Sequence, residues 1–354
     1  MRVCFIALEY FGWGKYGGIG RATRDIASGL VESGVEVSVV VPRGVDQRRV
    51  EFIDGVEVHG FPLMAYPLIG KLLRDVDADV YHSQDHTLGT WLAKRYCPES
   101  VHLLTCQNPK SREDWEKVIQ FYSPRRLFYN RFIEPQVKRC VRELDHVYCH
   151  AKYTIEKARK LFDLDYEPDF LPNPVMVPDS LPKKSDEPTV LFLGRFDGEK
   201  NPEEFLKLAE KFPDVGFIAA GKSHDPEYDR MLRGKYSGVE NLSMPGFLDG
   251  VAKDRVLSES WVLVNTSVSE CFPVSFLEAA AHGCSILSPH DPDDFVSRFG
   301  VHVSNDGLVE GLDWLLKDER WRERGSKGYW YVREHHEKKK VIEQHLKAYE
   351  RWIV

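Results

Sequence analysis

Long apolar runs are the first thing this sequence lacks. No stretch approaches the roughly 18–20 consecutive apolar residues that span a bilayer, so any work at a membrane is done from its surface. The apolar opening, Met1 to Leu8, is broken at once by Glu9 and reads as a buried first strand rather than a signal peptide. Paired cysteines are missing too. The seven present (Cys4, Cys97, Cys106, Cys140, Cys149, Cys271 and Cys284) are odd in number, scattered and nowhere spaced C-x-x-C, which speaks against a zinc knuckle or a redox pair. Several lie in apolar segments, where a free thiol acts as a small hydrophobe, and the cytoplasm is the expected compartment. Nor is there an excess of positive charge. Lys plus Arg number 48 against 55 for Asp plus Glu, a formal charge of −7, so the basic footprint of a nucleic-acid binder is absent. A local cluster of cations for a small anion is not excluded by that total. Repeats and low-complexity tracts are also absent.

What is present is an alternation. At 354 residues the chain has the length of two domains, and 42% hydrophobic content is enough for packed cores. Val3–Leu8 reads as a strand, Arg21–Ser33 as a helix closed by Gly34, and Val35–Val41 as a strand ended by Pro42. Val56–Phe61, Val80–His82, Val101–Cys106 and Asp145–Cys149 continue the series, with helical periodicity between several of them. Continuous apolar strands alternating with helices indicate a parallel sheet covered on both faces. Six prolines between Pro168 and Pro188 then suggest a linker. Beyond it come the strands Val190–Gly194, Gly216–Ala220, Ser243–Phe247, Trp261–Thr266 and Ser285–Ser288, and charged, Trp-rich helices finish the chain. The expected fold class is α/β: two Rossmann-like, doubly wound parallel-sheet lobes with a cleft between them. Their expected bounds are 1–177, a linker over 178–188, and 189–330, with a terminal helix over 331–354.

Three segments carry chemistry. Gly12, Gly14 and Gly17 fit G-x-G-x-x-G after the first strand, yet the second strand ends in Pro42-Arg43 rather than the acidic residue a nicotinamide dinucleotide needs. The better functional reading is that Gly17, Gly18 and Gly20 let backbone amides approach phosphate oxygens at a helix N-terminus, with Arg21 adding charge. Arg195 and Lys200 lie on the loop after the first strand of the second series, where two cations suit a diphosphate. Glu270 and Glu278 stand eight residues apart, one on a loop after a strand and one in the first turn of the next helix. That helix N-terminus offers amides to a phosphate, Glu278 suits ribose hydroxyls, and Glu270 reaches a sugar beyond the phosphates. Taken singly, each of these has an ordinary reading as a solvated loop or a helix-favoured acid.

Together, Gly17-Gly18-Ile-Gly20, Gly194-Arg195…Glu199-Lys200 and Glu270-Cys-Phe272…Glu278-Ala279 resemble the motifs of glycosyltransferase family four, a GT-B family. Leu171-Pro-Asn173-Pro-Val175 is similar to that family's Pro-Asn-Gly-Val segment, with Pro174 replacing Gly. The resemblance runs from residue 1 to about 290. It implies transfer of a mannose- or glucose-type hexosyl unit from a GDP- or UDP-linked sugar, with retention of configuration, no cofactor and no obligatory metal. On matching positions, Arg195 and Lys200 bind the diphosphate and Glu278 the ribose. Glu270 is the catalytic-site carboxylate, acting with Cys271, Phe272, Pro273 and Val274 around donor sugar and phosphate, while Gly246, Phe247 and Leu248 lie near the base.

Family members often carry His-x-His after a first-lobe strand. Here the segment reads His82-Ser-Gln84-Asp85-His86, so Gln84 holds the place of the second His; it can bond a hydroxyl but cannot relay a proton. His82 is the candidate catalytic histidine, with a packed strand-end residue as the ordinary alternative. Gln84, Asp85, His86, Gln107 and Asn108 are acceptor-side candidates for a glycan or lipid-linked acceptor. Residues 110–142 hold nine Lys or Arg against four Asp or Glu, interleaved with six aromatics. That is either an acceptor groove or peripheral contact with anionic lipid at the inner face of the membrane, or a helix pair burying its aromatics and solvating its charges. Two further readings stay open: a catalytically silent nucleotide-sugar-binding subunit, and a sugar-nucleotide epimerase on the same fold, which the intact Glu270…Glu278 pair disfavours. Oligomeric state is not readable from the chain.

Overall fold

The computed structural model describes residues 1–13 and 17–353, and the alternation of strand and helix resolves there into two α/β units. The first comprises Met1–Trp115, Tyr122–Pro174 and His336–Val354; the second comprises Glu116–Phe121 and Val175–His335. Gly14 of the dinucleotide-like pattern lies outside the described residues.

The first unit is built on β1 (Arg2–Ile6), β2 (Glu36–Arg43), β3 (Val50–Ile53), β4 (Val56–Pro62), β5 (Val80–Gln84), β6 (Val101–Cys106), β7 (His146–Cys149) and β8 (Asp169–Phe170). Among the described residues they form one sheet in the order β3-β4-β2-β1-β5-β6-β7-β8. Every pairing is parallel except β3 with β4, a hairpin turned at Asp54-Gly55, where both residues have positive φ as a two-residue turn requires. β3 escapes a reading by hydrophobic runs because its side chains lie mostly in solvent. β1 is central: Val3, Cys4, Phe5 and Ile6 are all buried, as a strand covered on both faces must be.

The second unit contains β9 (Thr189–Leu193), β10 (Gly216–Ala220), β11 (Leu242–Gly246), β12 (Val262–Val264), β13 (Ser285–Ser288) and β14 (Gly300–His302). They run parallel in the order β11-β10-β9-β12-β13-β14 over a core that includes Phe192, Phe205, Phe217, Val262 and Trp321.

The Pro-rich stretch 178–188 differs from the linker expected of it. The chain changes unit at Pro174/Val175, and the prolines that follow form a strap on the second unit. Tyr329 Oη donates to the Pro178 carbonyl at 2.9 Å, Trp261 Nε1 to that of Ser185 at 2.9 Å, and Lys184 Nζ to that of Leu257 at 3.0 Å. Such partners meet the requirement that backbone and charged groups be bonded when they leave water. The helix Arg320–His335 runs past residue 331 within the second unit, and only from His336 does the chain rejoin the first. Its last helix, Lys338–Glu350, packs on Gly18–Glu32: a Cβ at Gly29 would stand 2.5 Å from Ile342 Cγ1, and Lys338 Nζ pairs with Glu32 at 2.8 Å. Among the described residues no helix is long and apolar enough to cross a membrane.

Candidate active site

Parallel pairing lines up the carboxyl ends of the second unit's strands, and the candidate residues follow them in a row. Gly246 ends β11 with φ +89°, a left-handed conformation suited to glycine, and its carbonyl accepts from Gly221 N at 2.8 Å. A Cβ at Gly221 would fall 1.8 Å from the Gly194 carbonyl oxygen, so only glycine lets these loops approach so closely. Next along are Phe247, exposed with Lys222 over its ring, the half-buried Leu248, and then Arg195, whose guanidinium pairs with Asp197 at 3.1 Å. The loops after β9 and β12 are stitched together: Val268 N donates to the Glu199 carbonyl at 2.8 Å, and Thr266 Oγ1 reaches the carbonyls of Lys200 and Asn201.

That stitching sets Lys200 Nζ 2.6 Å from Glu270 Oε1. The same oxygen accepts from Ser267 Oγ at 2.6 Å and Asn265 Nδ2 at 3.1 Å. Burial would raise the Glu270 pKa, but Lys200, Ser267 and Asn265 outweigh it and hold the carboxyl below its ordinary value. His290 Nε2 bonds the Ser267 carbonyl at 2.6 Å and so braces this loop. Glu278, one turn into the helix Val274–Ala281, is held by Lys253 Nζ at 2.5 Å. Phe272 and Val274 are buried, Phe272 edge-on to Phe295; Cys271 and Pro273 are half-buried at the helix entrance.

Sequence reasoning missed Lys253, which is buried in the helix Gly250–Glu259 together with Leu257. Their i, i+4 spacing placed the lysine on the apolar face, and that was the available signal. Asn265, Ser267 and His290 were missed as well, since polar loop residues carry no periodicity.

In the first unit the glycine loop faces a carboxylate rather than open space. A Cβ at Gly17 would lie 2.0 Å from Glu9 Oε2, and one at Gly20 would lie 3.1 Å from Glu9 Cβ, so the anion beside this helix start is the chain's own. Gly18 opens the helix, and Arg21 stacks on Phe11 at 3.6 Å. At the ends of β5 and β6, Gln107 Nε2 donates to Gln84 Oε1 at 2.9 Å, and the buried Gln84 amide nitrogen has no partner among the described residues. Asn108 is half-buried beside Gln107. Asp85 takes a positive φ of 75° and bonds His86 Nδ1 at 2.9 Å; His86 Nε2 reaches Glu134 at 3.4 Å, and Lys138 reaches Glu134 at 2.9 Å. Burial would lower the His86 pKa, but the two carboxylates outweigh it and raise it to about 9. The Cys106 thiol brings a third potential metal-ligating atom within 4.8 Å of Asp85 and His86, whose own atoms are engaged with each other.

His82 differs from its expected role. It lies in the middle of β5, with no exposed surface, Nδ1 on Tyr349 Oη at 2.9 Å and Nε2 on Thr105 Oγ1 at 2.8 Å. Burial, with His345 nearby, holds its pKa well below the usual value. A neutral, enclosed ring with both nitrogens engaged is a core residue. Residues 110–142 likewise fit neither expectation wholly. They form three short helices, Arg112–Val118, Pro124–Phe132 and Glu134–Val141, and leave Phe121, Phe128 and Phe132 exposed.

Two family models match the chain in succession: Glycosyltransferase Family 4 over residues 16–176, and Glycosyl transferases group 1 over residues 177–328. The chain is similar to a subunit of human phosphatidylinositol N-acetylglucosaminyltransferase, 25% identical over 124 residues, which are 34% of this chain and 24% of that protein. It thus spans about a quarter of the length of that curated relative. Among solved structures it is similar to sucrose-phosphate synthase from Thermosynechococcus elongatus, with a TM-score of 0.76 and 17% identity over 99% of this chain and 98% of that one. It is also similar to Anabaena HepE in complex with UDP-glucose, with a TM-score of 0.74 and 15% identity over 99% of this chain and 100% of that one. At such identities the likeness is one of fold.

Proposed function

The chain belongs to the family-four glycosyltransferases, the glycosyl transferases of group 1, with their GT-B fold, and from that premise we propose that it moves a hexosyl unit from a nucleotide diphosphate sugar to an acceptor hydroxyl with retention of configuration. The acceptor class is a glycan, a lipid-linked sugar or a small molecule. The observation that carries the reading is the pair of lysine-held carboxylates, Glu270 on Lys200 and Glu278 on Lys253, at the entrance to the helix Val274–Ala281.

In this reading the donor diphosphate lies against Arg195, Lys200 and the amides of Phe272 to Val274. Lys200 exchanges Glu270 for a phosphate oxygen, which frees the carboxylate to accept from a sugar hydroxyl. Glu278 accepts from the ribose, and Gly246 to Leu248 border the base. As the bond from the anomeric carbon to phosphate breaks, charge develops on the diphosphate, and prearranged cations and amides stabilise it without a metal ion. The acceptor oxygen bonds the anomeric carbon on the same face, and its proton passes to the departing phosphate. No protein base is then required, and Gln84 serves by hydrogen bonding alone, with Asp85, His86, Gln107 and Asn108 on the acceptor side. The odd number and scattered spacing of the cysteines fit a reducing, cytoplasmic setting.

The test is a thermal-shift screen against UDP- and GDP-linked hexoses, followed by NMR of the transferred anomer. The reading expects one donor to raise the melting temperature, since a ligand bound only to the folded state stabilises it. It expects Glu270→Ala to keep nucleoside diphosphate binding while losing transfer and donor hydrolysis. Failure of every nucleotide sugar to bind would sink it. Gln84, standing where the family often has histidine, favours a second reading as a silent donor-binding subunit; donor binding with neither transfer nor hydrolysis is its signature.

A further inference from the structure

The helix Pro124–Phe132 and the helix Glu134–Val141 that continues it have an apolar stripe facing the wrong way. Positions 124, 127, 128, 131, 132, 135 and 139 are exposed, a recurrence at i, i+3, i+4 and i+7 that marks a single helical face. On that face Phe128 is 59% and Phe132 60% exposed, with Leu127 beside them, while Val137, Cys140 and Val141 on the other side are buried. Elsewhere in the same unit the turn Leu63–Leu68 also exposes apolar side chains, Met64 at 83% and Leu68 at 78%.

Charge decides what such a face meets. From Tyr122 to Ile133 there is no acidic residue at all, in a chain whose acids outnumber its bases. Arg131 lies on the exposed face over Phe132 at 5.7 Å, and Arg139 is exposed on the same face one helix on. The neighbouring Glu134 is buried and occupied by His86 and Lys138. Aromatics, Met and Arg are also enriched at protein interfaces, so it is the absence of any acidic residue from Tyr122 to Ile133, beside these cations, that selects an anionic surface. Apolar side chains interleaved with long cations match the bilayer interface, where the apolar groups enter the acyl boundary and the guanidinium groups stay at the anionic headgroups. We propose that the first unit docks on a bilayer surface containing anionic phospholipid through Phe128, Phe132 and Leu127, with Arg131 and Arg139 on the headgroups. This goes beyond the donor-site reading and does not depend on it.

Flotation with vesicles of equal parts phosphatidylcholine and phosphatidylglycerol, against phosphatidylcholine alone, tests it on the full chain. The protein floats with the mixed vesicles, at least tenfold more tightly than with the neutral ones, and is released by salt. Phe128→Ser with Phe132→Ser, and separately Arg131→Glu, each lower partitioning by roughly tenfold or more. Because these side chains are exposed, melting temperature and nucleotide-sugar binding stay unchanged in both variants, which separates this test from that of the donor site. Absence of flotation, equal flotation of wild type and the double variant, or lipid-free self-association that the double variant abolishes would each overturn the proposal; the last would mark a protein interface.

Discussion

Lys200 and Glu270, seventy residues apart in sequence, meet at 2.6 Å and share one carboxylate oxygen with Ser267 and Asn265. The two ends of this pair are not equivalent. Glu270 is buried, whereas Lys200 is about a quarter exposed and can turn to water. Lys200→Met therefore strands a buried carboxylate and is expected to cost about 3 kcal/mol, the low end for a broken buried pair. Glu270→Gln keeps the Ser267 contact and is expected to cost about 1 kcal/mol. Because the folded carboxyl is held below its ordinary value, the stabilisation is present at neutral pH and lost as pH falls below the unfolded value of 4.5. Denaturation midpoints at neutral and acid pH check both the asymmetry and its disappearance.

Arg195 is held only lightly, by Asp197 at 3.1 Å on a partly exposed loop. Arg195→Ala should leave stability within about 0.5 kcal/mol of wild type, as exposed pairs contribute little. Under the proposed function it loses at least tenfold in donor affinity, read by calorimetric titration with the donor found in the screen. Unchanged affinity would remove Arg195 from the diphosphate site.

Lys253 makes the companion prediction for the nucleoside end. Lys253→Met leaves Glu278 without its charge partner in a half-buried position, and should weaken nucleoside diphosphate binding more than it weakens binding of the bare pyrophosphate. Equal weakening of the two would place Glu278 away from the ribose.

The two-sheet architecture and the Glu270…Glu278 spacing were legible in the sequence because they rest on local signals: continuous apolar strands, glycine-rich strand ends and a helix entrance after Pro273. Lys253, Asn265 and His290 were not legible, because each acts through a partner supplied by tertiary packing. The same holds for His82. A histidine near a strand end looks the same in sequence whether its ring faces a crevice or Tyr349, and only the return of the chain at His336 decides between them. The Pro-rich strap misled for a related reason: proline marks where a helix or strand cannot continue, not whether other groups tie the segment down.

Burial and two carboxylates act in opposite senses on His86, and the carboxylates prevail, raising its pKa to about 9. Glu134 is likewise pushed up by burial but pulled further down, to about 2, by His86 and Lys138. The His86 contribution is thus complete below its unfolded value of 6.5 and lost as pH rises through about 9. That of Glu134 is complete above 4.5 and lost as pH falls toward about 2. The stability gap between wild type and His86→Ala should be widest between 4.5 and 6.5 and should shrink in alkali, followed by thermal melts across pH. A gap that widens above pH 9 would show that the ring is held neutral.

Tyr349→Phe tests whether His82 is structural. The substitution removes the hydroxyl 2.9 Å from Nδ1 and leaves a ring nitrogen buried without its partner, which costs about 1–3 kcal/mol. The same hydroxyl lies 3.4 Å from Nδ1 of the buried His345, so a second imidazole loses its contact while the ring packing of Lys338–Glu350 is kept. If the ring serves only the core, the denaturation midpoint falls by that amount while KM for donor and kcat of the folded fraction stay near wild type. A kcat that drops tenfold or more with stability unchanged would return His82 to the reacting groups. The geometry favours the first outcome, because a histidine that exchanges protons with a substrate needs a nitrogen facing it, and both nitrogens here face the interior.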